Sequence, residues 1–397
     1  MKRRDNPYTP GAGRKPPYLA GRDGELEQFS SLLEVVASGG AERSTIYYGL
    51  RGVGKTVLLM ELDILASEAG WTTTDVQEVG SKPDFRSTFA QMASRLLREM
   101  SRRHRISARV ERALSVVKAF SLLTPGGVQL KLDVRPASGI ADSGDPEQDL
   151  VELLREIGET ARSAGSGALF LIDEMHNLDS LSLGAVCMAF QAVSRDRLPV
   201  ALVGSGLPDL RARLLLAKPY ADRLFEYRSL GRLSDVEARV ALVKPAANLG
   251  VSYTEEAVAA VVRQAAGYPY FIQEYGREIW NAAEVSPITL AEVEEVSDIV
   301  REQLARTFYG TRFEMANDAE QRYLAAMASL GQAPYKTGEV ARAWGANDQR
   351  KTSPHRDSLI QKGLIWAPER GKVDFTVPLF ADFVTEHHPL KLFDEEE

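Results

Sequence analysis

Cysteine is almost absent. Cys187 stands alone in 397 residues, so no intrachain disulfide can form and a secreted disulfide scaffold is excluded. It falls among apolar residues of a helix predicted over 183–193 and reads as a small buried side chain. Histidine is scarce, five in all, and His387-His388 has no partner ligands at useful spacing, so no metal-binding pattern emerges. No apolar run reaches the roughly 20 residues that span a bilayer, and the N-terminus lacks the charged-then-apolar layout of a signal peptide. These absences predict a cytoplasmic protein with no membrane partner. Excess positive charge is lacking as well: 48 Lys and Arg against 55 Asp and Glu leave a net charge of −7. Contact with nucleic acid would therefore rest on local patches. What remains is ordinary globular composition, long enough for two or three domains with their own cores and without internal repeats.

Against this background, Gly49-Leu50-Arg51-Gly52-Val53-Gly54-Lys55-Thr56 fits G-x-x-x-x-G-K-[ST] at every fixed position. An apolar run over 45–48 precedes it and a helical pattern from Val57 follows, the strand–loop–helix context in which the motif cradles phosphate. Glycines let backbone N–H groups turn toward phosphate oxygens, and the new helix adds the positive end of its dipole. Lys55 then reaches the β- and γ-phosphates, and the Thr56 hydroxyl ligates Mg2+.

A second strand should supply the carboxylates, and 168–174 reads Ala-Leu-Phe-Leu-Ile-Asp-Glu. A continuous apolar run is the signature of a buried parallel strand, and such sheets bind ligands at the carboxyl ends of their strands. Asp173 is expected to help hold magnesium. Glu174 is expected to accept a proton from the attacking water.

The organisation follows. Residues 1–16, with Lys2, Arg3, Arg4, Arg14 and Lys15, read as a flexible basic tail. Residues 17–230 alternate strands and helices, with strands expected over 45–48, 72–76, 168–173, 199–203 and 224–227. An insertion at about 82–146 carries predicted helices over 85–104 and 107–120 and a strand over 128–134. Its Arg95, Arg98, Arg102, Arg103, Arg105, Arg109 and Arg112 suit either a solvated helix face or contact with nucleic acid or an acidic partner. Residues 231–312 read as all helical, 313–390 as a separate domain, and 391–397 as an acidic tail.

The block 313–390 runs helix, helix, turn, helix, hairpin, the layout of a winged helix-turn-helix whose third helix, near 349–362, can enter the major groove of double-stranded DNA. Arg350, Lys351, Arg356 and Lys362 on that helix, with Arg370 and Lys372 on the wing, are the candidate DNA contacts. Yet nine basic residues face nine acidic ones between Asp318 and Glu386, and winged helices also dock proteins. A protein partner remains the other reading.

With both Walker elements in place, the chain resembles the AAA+ ATPases, and among them the bacterial and archaeal relatives of the replication-initiator ATPases. The resemblance spans 18–388. It implies an α/β fold: a P-loop AAA+ core with a parallel sheet, an all-helical lid and a C-terminal winged helix. It also implies ATP (or ADP) with Mg2+ as ligand, slow ATPase activity coupled to DNA, and ATP-dependent homo-oligomers. The preference for ATP rests on the resemblance. Pro17-Tyr18-Leu19-Ala20-Gly21-Arg22-Asp23-Gly24-Glu25 is similar to the family's adenine-side element, with Tyr18 and Arg22 lining the base. Ser205, after the fourth strand, matches the sensor that orients water. Arg223 matches the arginine finger supplied in trans, with Arg213 and Arg211 as second choices. With Gly49, Arg51, Gly52, Val53, Gly54, Val57 and Asp173, these complete the expected site. The lid departs from the initiators. Gly267-Tyr268-Pro269 is similar to the STAND signalling ATPases, whose lid proline at Pro269 faces nucleotide, and no arginine stands at the initiators' lid position. Arg277 is the substitute within that helix, and a STAND-like regulatory switch is the alternative function.

Overall fold

The computed structural model describes residues 2–11, 13–40, 42–78, 85–104, 107–123 and 132–390. Five parallel strands form one sheet: β1 (Ser44–Tyr48), β2 (Thr72–Glu78), β3 (Ala168–Asp173), β4 (Val200–Gly206) and β5 (Phe225–Ser229), in the order β2-β3-β4-β1-β5. β4 lies between β1 and β3, so the glycine loop leaving β1 and the carboxylates ending β3 open into one crevice. Both β3 and β4 are buried at every residue, which is why they read as unbroken apolar runs. Their side chains alternate between faces. Phe170 and Ile172 join one apolar cluster, Leu169 and Leu171 the other.

One face is covered by α1 (Asp23–Ala37) and α2 (Lys55–Glu68). The other carries the insertion helices α3 (Phe85–His104) and α4 (Ser107–Leu122), then α5 (Pro146–Ser163) and α6 (Ser180–Arg195). Phe89 stacks on Phe170 at 6.3 Å, and buried Arg86 meets buried Asp149 at 2.5 Å, so the insertion is part of the core's packing. Its basic character is largely neutralised at home. Arg102 and Arg103 pair with Glu99, Arg109 with Glu159 and Arg112 with Glu156, while Arg95 and Arg98 are exposed. Arg105 lies outside the described residues, as does most of the strand expected over 128–134, and residues 132–134 are not strand.

After α7 (Leu210–Ala217) and α8 (Ala221–Leu224), the chain leaves β5 for a helical lid. It comprises α9 (Asp235–Ala247), α10 (Glu255–Ala265), α11 (Pro269–Ala282) and α12 (Leu290–Leu304). The lid starts where Ser234 and Glu237 form a reciprocal capping box, a start legible in the sequence. A π-helical turn, Ala305–Gly310, and the short α13 (Thr311–Glu314) lead into α14 (Asp318–Ala328). Then follow β6 (Tyr335–Lys336), α15 (Thr337–Trp344), α16 (Ser353–Gln361), β7 (Ile365–Trp366), β8 (Lys372–Phe375) and α17 (Phe380–His387). The small sheet has the order β6-β8-β7 and is antiparallel, consistent with a winged helix. Lid and C-terminal domain share one continuous apolar cluster, joined through contacts such as Tyr309 on Phe383 at 5.2 Å. They pack as one body.

Two expectations are corrected. The third helix does not run unbroken from 349: Gln349–Lys351 is a separate 3-10 turn, and Pro354, unable to donate a backbone hydrogen bond, starts the helix proper. The described part of the N-terminal segment is not a free tail. Tyr8 is 3% exposed inside the lid, because its ring and hydroxyl both find partners there.

Candidate nucleotide site

The loop Gly49–Thr56 joins β1 to α2. Gly52 and Gly54 hold φ of +79° and +90°, backbone that a side chain would strain. A Cβ at Gly49 would lie 2.2 Å from the Leu230 carbonyl oxygen. Lys55 opens α2 almost fully buried, its Nζ donating to the Gly49 and Leu50 carbonyls at 3.0 and 2.9 Å. Burial pulls its pKa down to about 8, against the pull of Glu174 and Asp173.

Asp173 gathers three donors. The Thr56 hydroxyl donates to Oδ2 at 2.5 Å, the Glu174 amide to Oδ1 at 2.9 Å, and the Ser205 hydroxyl also to Oδ1. A hydroxyl and a carboxylate brought together are hard oxygen donors that suit magnesium. Among the described residues no three His, Cys, Asp or Glu side chains cluster as a metal site, so such an ion would complete its shell from phosphate and water. Ser205 is fully buried and engaged by Asp173 rather than lining the cavity.

Glu174 sits in left-handed backbone, φ 56°, which aims its carboxylate back over the loop. Its Oε2 is 3.8 Å from the Arg51 guanidinium and 3.3 Å from His176 Nε2. Burial raises its pKa, opposed by Lys55 and Arg51. His176 was not singled out in the sequence. Its Nδ1 accepts the Leu207 amide at 3.3 Å, which puts the ring proton on Nε2, facing Glu174. Burial, with Arg51 next in effect, drives His176 down to about 3, so it stays neutral and positions the carboxylate by hydrogen bonding. Its place two residues after Glu174 was the available signal.

Lys55, Thr56, Asp173 and Glu174 line a cavity of about 550 Å³, which also takes in Arg51, Gly52, Val53, Gly54, Val57 and Pro269. Tyr18 lines it half-exposed. Arg22 lines it too, but its guanidinium donates to the Val53 and Gly231 carbonyls at 3.0 Å each, tying the loop to the core–lid junction. Arg312 was missed as well. It lies beyond the lid helices, its guanidinium 4.3 Å over Phe308, with no ion pair among the described residues. Burial and the nearby Arg51 pull its pKa down to about 10. Arg277, the substitute named from the lid motif, instead pairs with Glu274 and Glu278.

Other sites lie apart. Arg223 is 80% exposed at its side chain, 3.7 Å from Asp222 and outside the cavity. Arg213 donates to the His176 and Leu178 carbonyls, and Arg211 lies over Tyr227. In the C-terminal domain, Arg350, Lys351 and Arg370 are exposed without ion pairs among the described residues. Arg356 pairs with Asp357, Lys372 with Glu369, and Lys362 with Glu320.

Lys362 is a support for the fold. It donates to Glu320 at 2.6 Å and to the Met315 carbonyl at 2.9 Å. Glu320 is 2% exposed; despite burial, hydrogen bonds from Lys362 and Ser358 hold its pKa below the usual carboxylate range. Lys362→Ala strands that carboxylate, costing about 1–3 kcal/mol, and lowers Tm in a thermal melt at neutral pH. Because the folded pKa is depressed, the contribution is present above the carboxylate range and lost as pH falls through it. The variant's deficit should shrink in acid.

The C-terminal domain reaches the site. The Arg51 amide donates to the Thr376 carbonyl at 3.0 Å, directly after β8. Gly363, φ +64°, permits the approach, since a Cβ there would lie 3.1 Å from Arg51 Nη2. From the lid, the Tyr270 amide donates to the Gly52 carbonyl at 3.3 Å.

Residues 18–203 match the AAA ATPase domain family, and residues 306–384 match a domain of unknown function, DUF8462. No curated protein matches the chain in sequence. Its fold recurs in other solved structures. A Walker-type ATPase of Pyrococcus abyssi is 14% identical, with 93% of this chain and 97% of that one covered and a TM-score of 0.58. The ORC2 protein of Aeropyrum pernix, solved in ADPNP–ADP complexes, is 15% identical, with 95% of each covered and a TM-score of 0.55.

Proposed function

We propose, on the premise that the chain is an AAA+ ATPase resembling the origin-recognition ATPases, that it is a slow nucleotide-gated switch whose winged helix reports the state of the site. The observation that carries this reading is the bond from the Arg51 amide to the Thr376 carbonyl. Arg51 belongs to the phosphate loop and its guanidinium faces Glu174, so a γ-phosphate arriving there alters the contact that seats the C-terminal domain.

In this scheme Lys55 and the loop amides bind ATP, Thr56 and Asp173 hold magnesium, and Ser205 fixes the orientation of Asp173. Magnesium, when bound, neutralises charge on the phosphate oxygens. Glu174 accepts the proton of the attacking water, and His176 holds it in place. Arg312 meets the phosphates from the lid side. Arg223, exposed and distant, acts on a neighbouring subunit if ATP brings copies together.

DNA is the proposed partner, through Arg350, Lys351 and Arg370. The test measures affinity for random-sequence duplex with ATP and magnesium, with ADP, and after charge reversal at those three positions. Affinity that rises in ATP, weakens with salt and disappears on reversal is expected. One observation favours a second reading, a protein-docking switch: Arg356, Lys362 and Lys372 are already committed to carboxylates of their own domain. Salt-insensitive binding to a protein, with no DNA affinity in any nucleotide state, would establish that reading instead.

A further inference from the structure

The N-terminal segment crosses the mouth of the nucleotide cavity and is fastened at both ends. On the lid, the Tyr8 hydroxyl donates to the Leu242 carbonyl at 2.5 Å and lies 2.8 Å from the Tyr253 hydroxyl. The Tyr8 ring rests on Gly276, where a Cβ would come within 2.5 Å of it. Asn6 donates to the Arg277 carbonyl at 2.9 Å, and the Thr9 amide to Gln273 Oε1 at 3.1 Å. On the core, Lys15 meets Glu61 of α2 at 2.6 Å. Between these anchors Gly13 passes over the phosphate loop's threonine, 3.7 Å separating its Cβ position from Thr56 Cγ2. Thr9, Pro10, Gly11, Gly13, Arg14 and Pro16 all line the cavity.

We infer that this segment is a nucleotide strap, a wall of the site that bridges core and lid over the bound polyphosphate, with Arg14 as its charged contact. The inference rests on the nucleotide reading above. Arg14 lines the cavity as an exposed residue, with no carboxylate within salt-bridge distance among the described residues, whereas Lys15 is neutralised by Glu61. Arg51, Lys55 and Arg312 line the same space, so the strap adds a cation to a site built for a polyanion. The chain already joins core to lid between β5 and α9. The strap is a second tie, and with both in place the lid cannot swing away until Tyr8 leaves its socket. Its effect falls on the release of ATP and ADP alike.

The test follows release of fluorescent ATP and ADP analogues from the full chain by stopped flow, for wild type, Tyr8→Ala, Tyr8→Phe and Arg14→Ala. Tyr8→Ala should speed release of both nucleotides by about tenfold or more, since such losses appear mainly in off-rates. Tyr8→Phe, which keeps the ring and loses the hydroxyl bonds, should speed it by roughly threefold. Arg14→Ala should weaken both nucleotides several-fold, with a reduced salt dependence. Trypsin adds a second readout: nucleotide should protect the Arg14–Lys15 bond in wild type and not in Tyr8→Ala. Wild-type release rates in folded Tyr8→Ala and Tyr8→Phe, or cleavage unaffected by nucleotide, overturn the strap while leaving the nucleotide reading intact. Failure of wild type to bind either analogue overturns both.

Discussion

Lys55→Ala lowers nucleotide affinity by orders of magnitude. Lys55 is the buried cation at the base of the cavity, held in readiness by the Gly49 and Leu50 carbonyls. Removing one member of a buried charge pair costs about 3–5 kcal/mol, a fall of about two to nearly four orders of magnitude in affinity for ATP and ADP by calorimetry. The same residue sets a pH dependence. In the nucleotide-free protein burial leaves its pKa at about 8. Phosphate oxygens beside it favour the ammonium and raise that value, so binding takes up a proton above pH 8. Affinity should be level below pH 8 and fall above it, approaching tenfold per pH unit. Calorimetry from about pH 7 to about pH 9.5 that gives unchanged affinity would remove Lys55 from the phosphate contact.

Glu174→Gln keeps ATP and stops hydrolysis. Loss of a general base lowers kcat by about 10²–10⁴, and the amide preserves the side chain's shape in its left-handed backbone. The hydrogen bond from His176 persists, now to an amide oxygen. ATP affinity should stay within a few-fold of wild type, giving a trapped ATP state in single-turnover assays. Turnover at the wild-type rate would assign the base elsewhere. The trapped form is also the reagent for the gating test, since it holds the state in which the contact between Arg51 and Thr376 is expected to change.

The two Walker elements were legible because each is local. A phosphate loop needs glycines, a lysine and a threonine at fixed spacing, and a buried strand declares itself by an unbroken apolar run from Ala168 to Ile172. All five core strands were readable because the pattern of each is local, as was the lid's first turn at Ser234. His176 was passed over because its role depends on the Leu207 amide, 31 residues away. Arg312 was invisible because only packing on Phe308, in the turn before it, aims it at the cavity. Lys362 looked like its neighbours on a basic helix until burial of Glu320, 42 residues distant, claimed it.

The N-terminal segment marks the boundary most clearly. By composition it is basic and rich in proline and glycine, which describes a segment with few apolar residues to bury. Tyr8 is nevertheless pinned 234 residues away, at Leu242, in a socket that exists only after the lid helices have packed. The sequence by itself determined that this chain builds a P-loop core, with a glycine loop after one strand and two carboxylates ending another, and that a helical region and a small mixed domain follow it. Tertiary structure alone decided which charges stay free to meet a ligand and which segments close over the site. Both depend on burial and on partners distant in the chain, and residue type and spacing do not encode them.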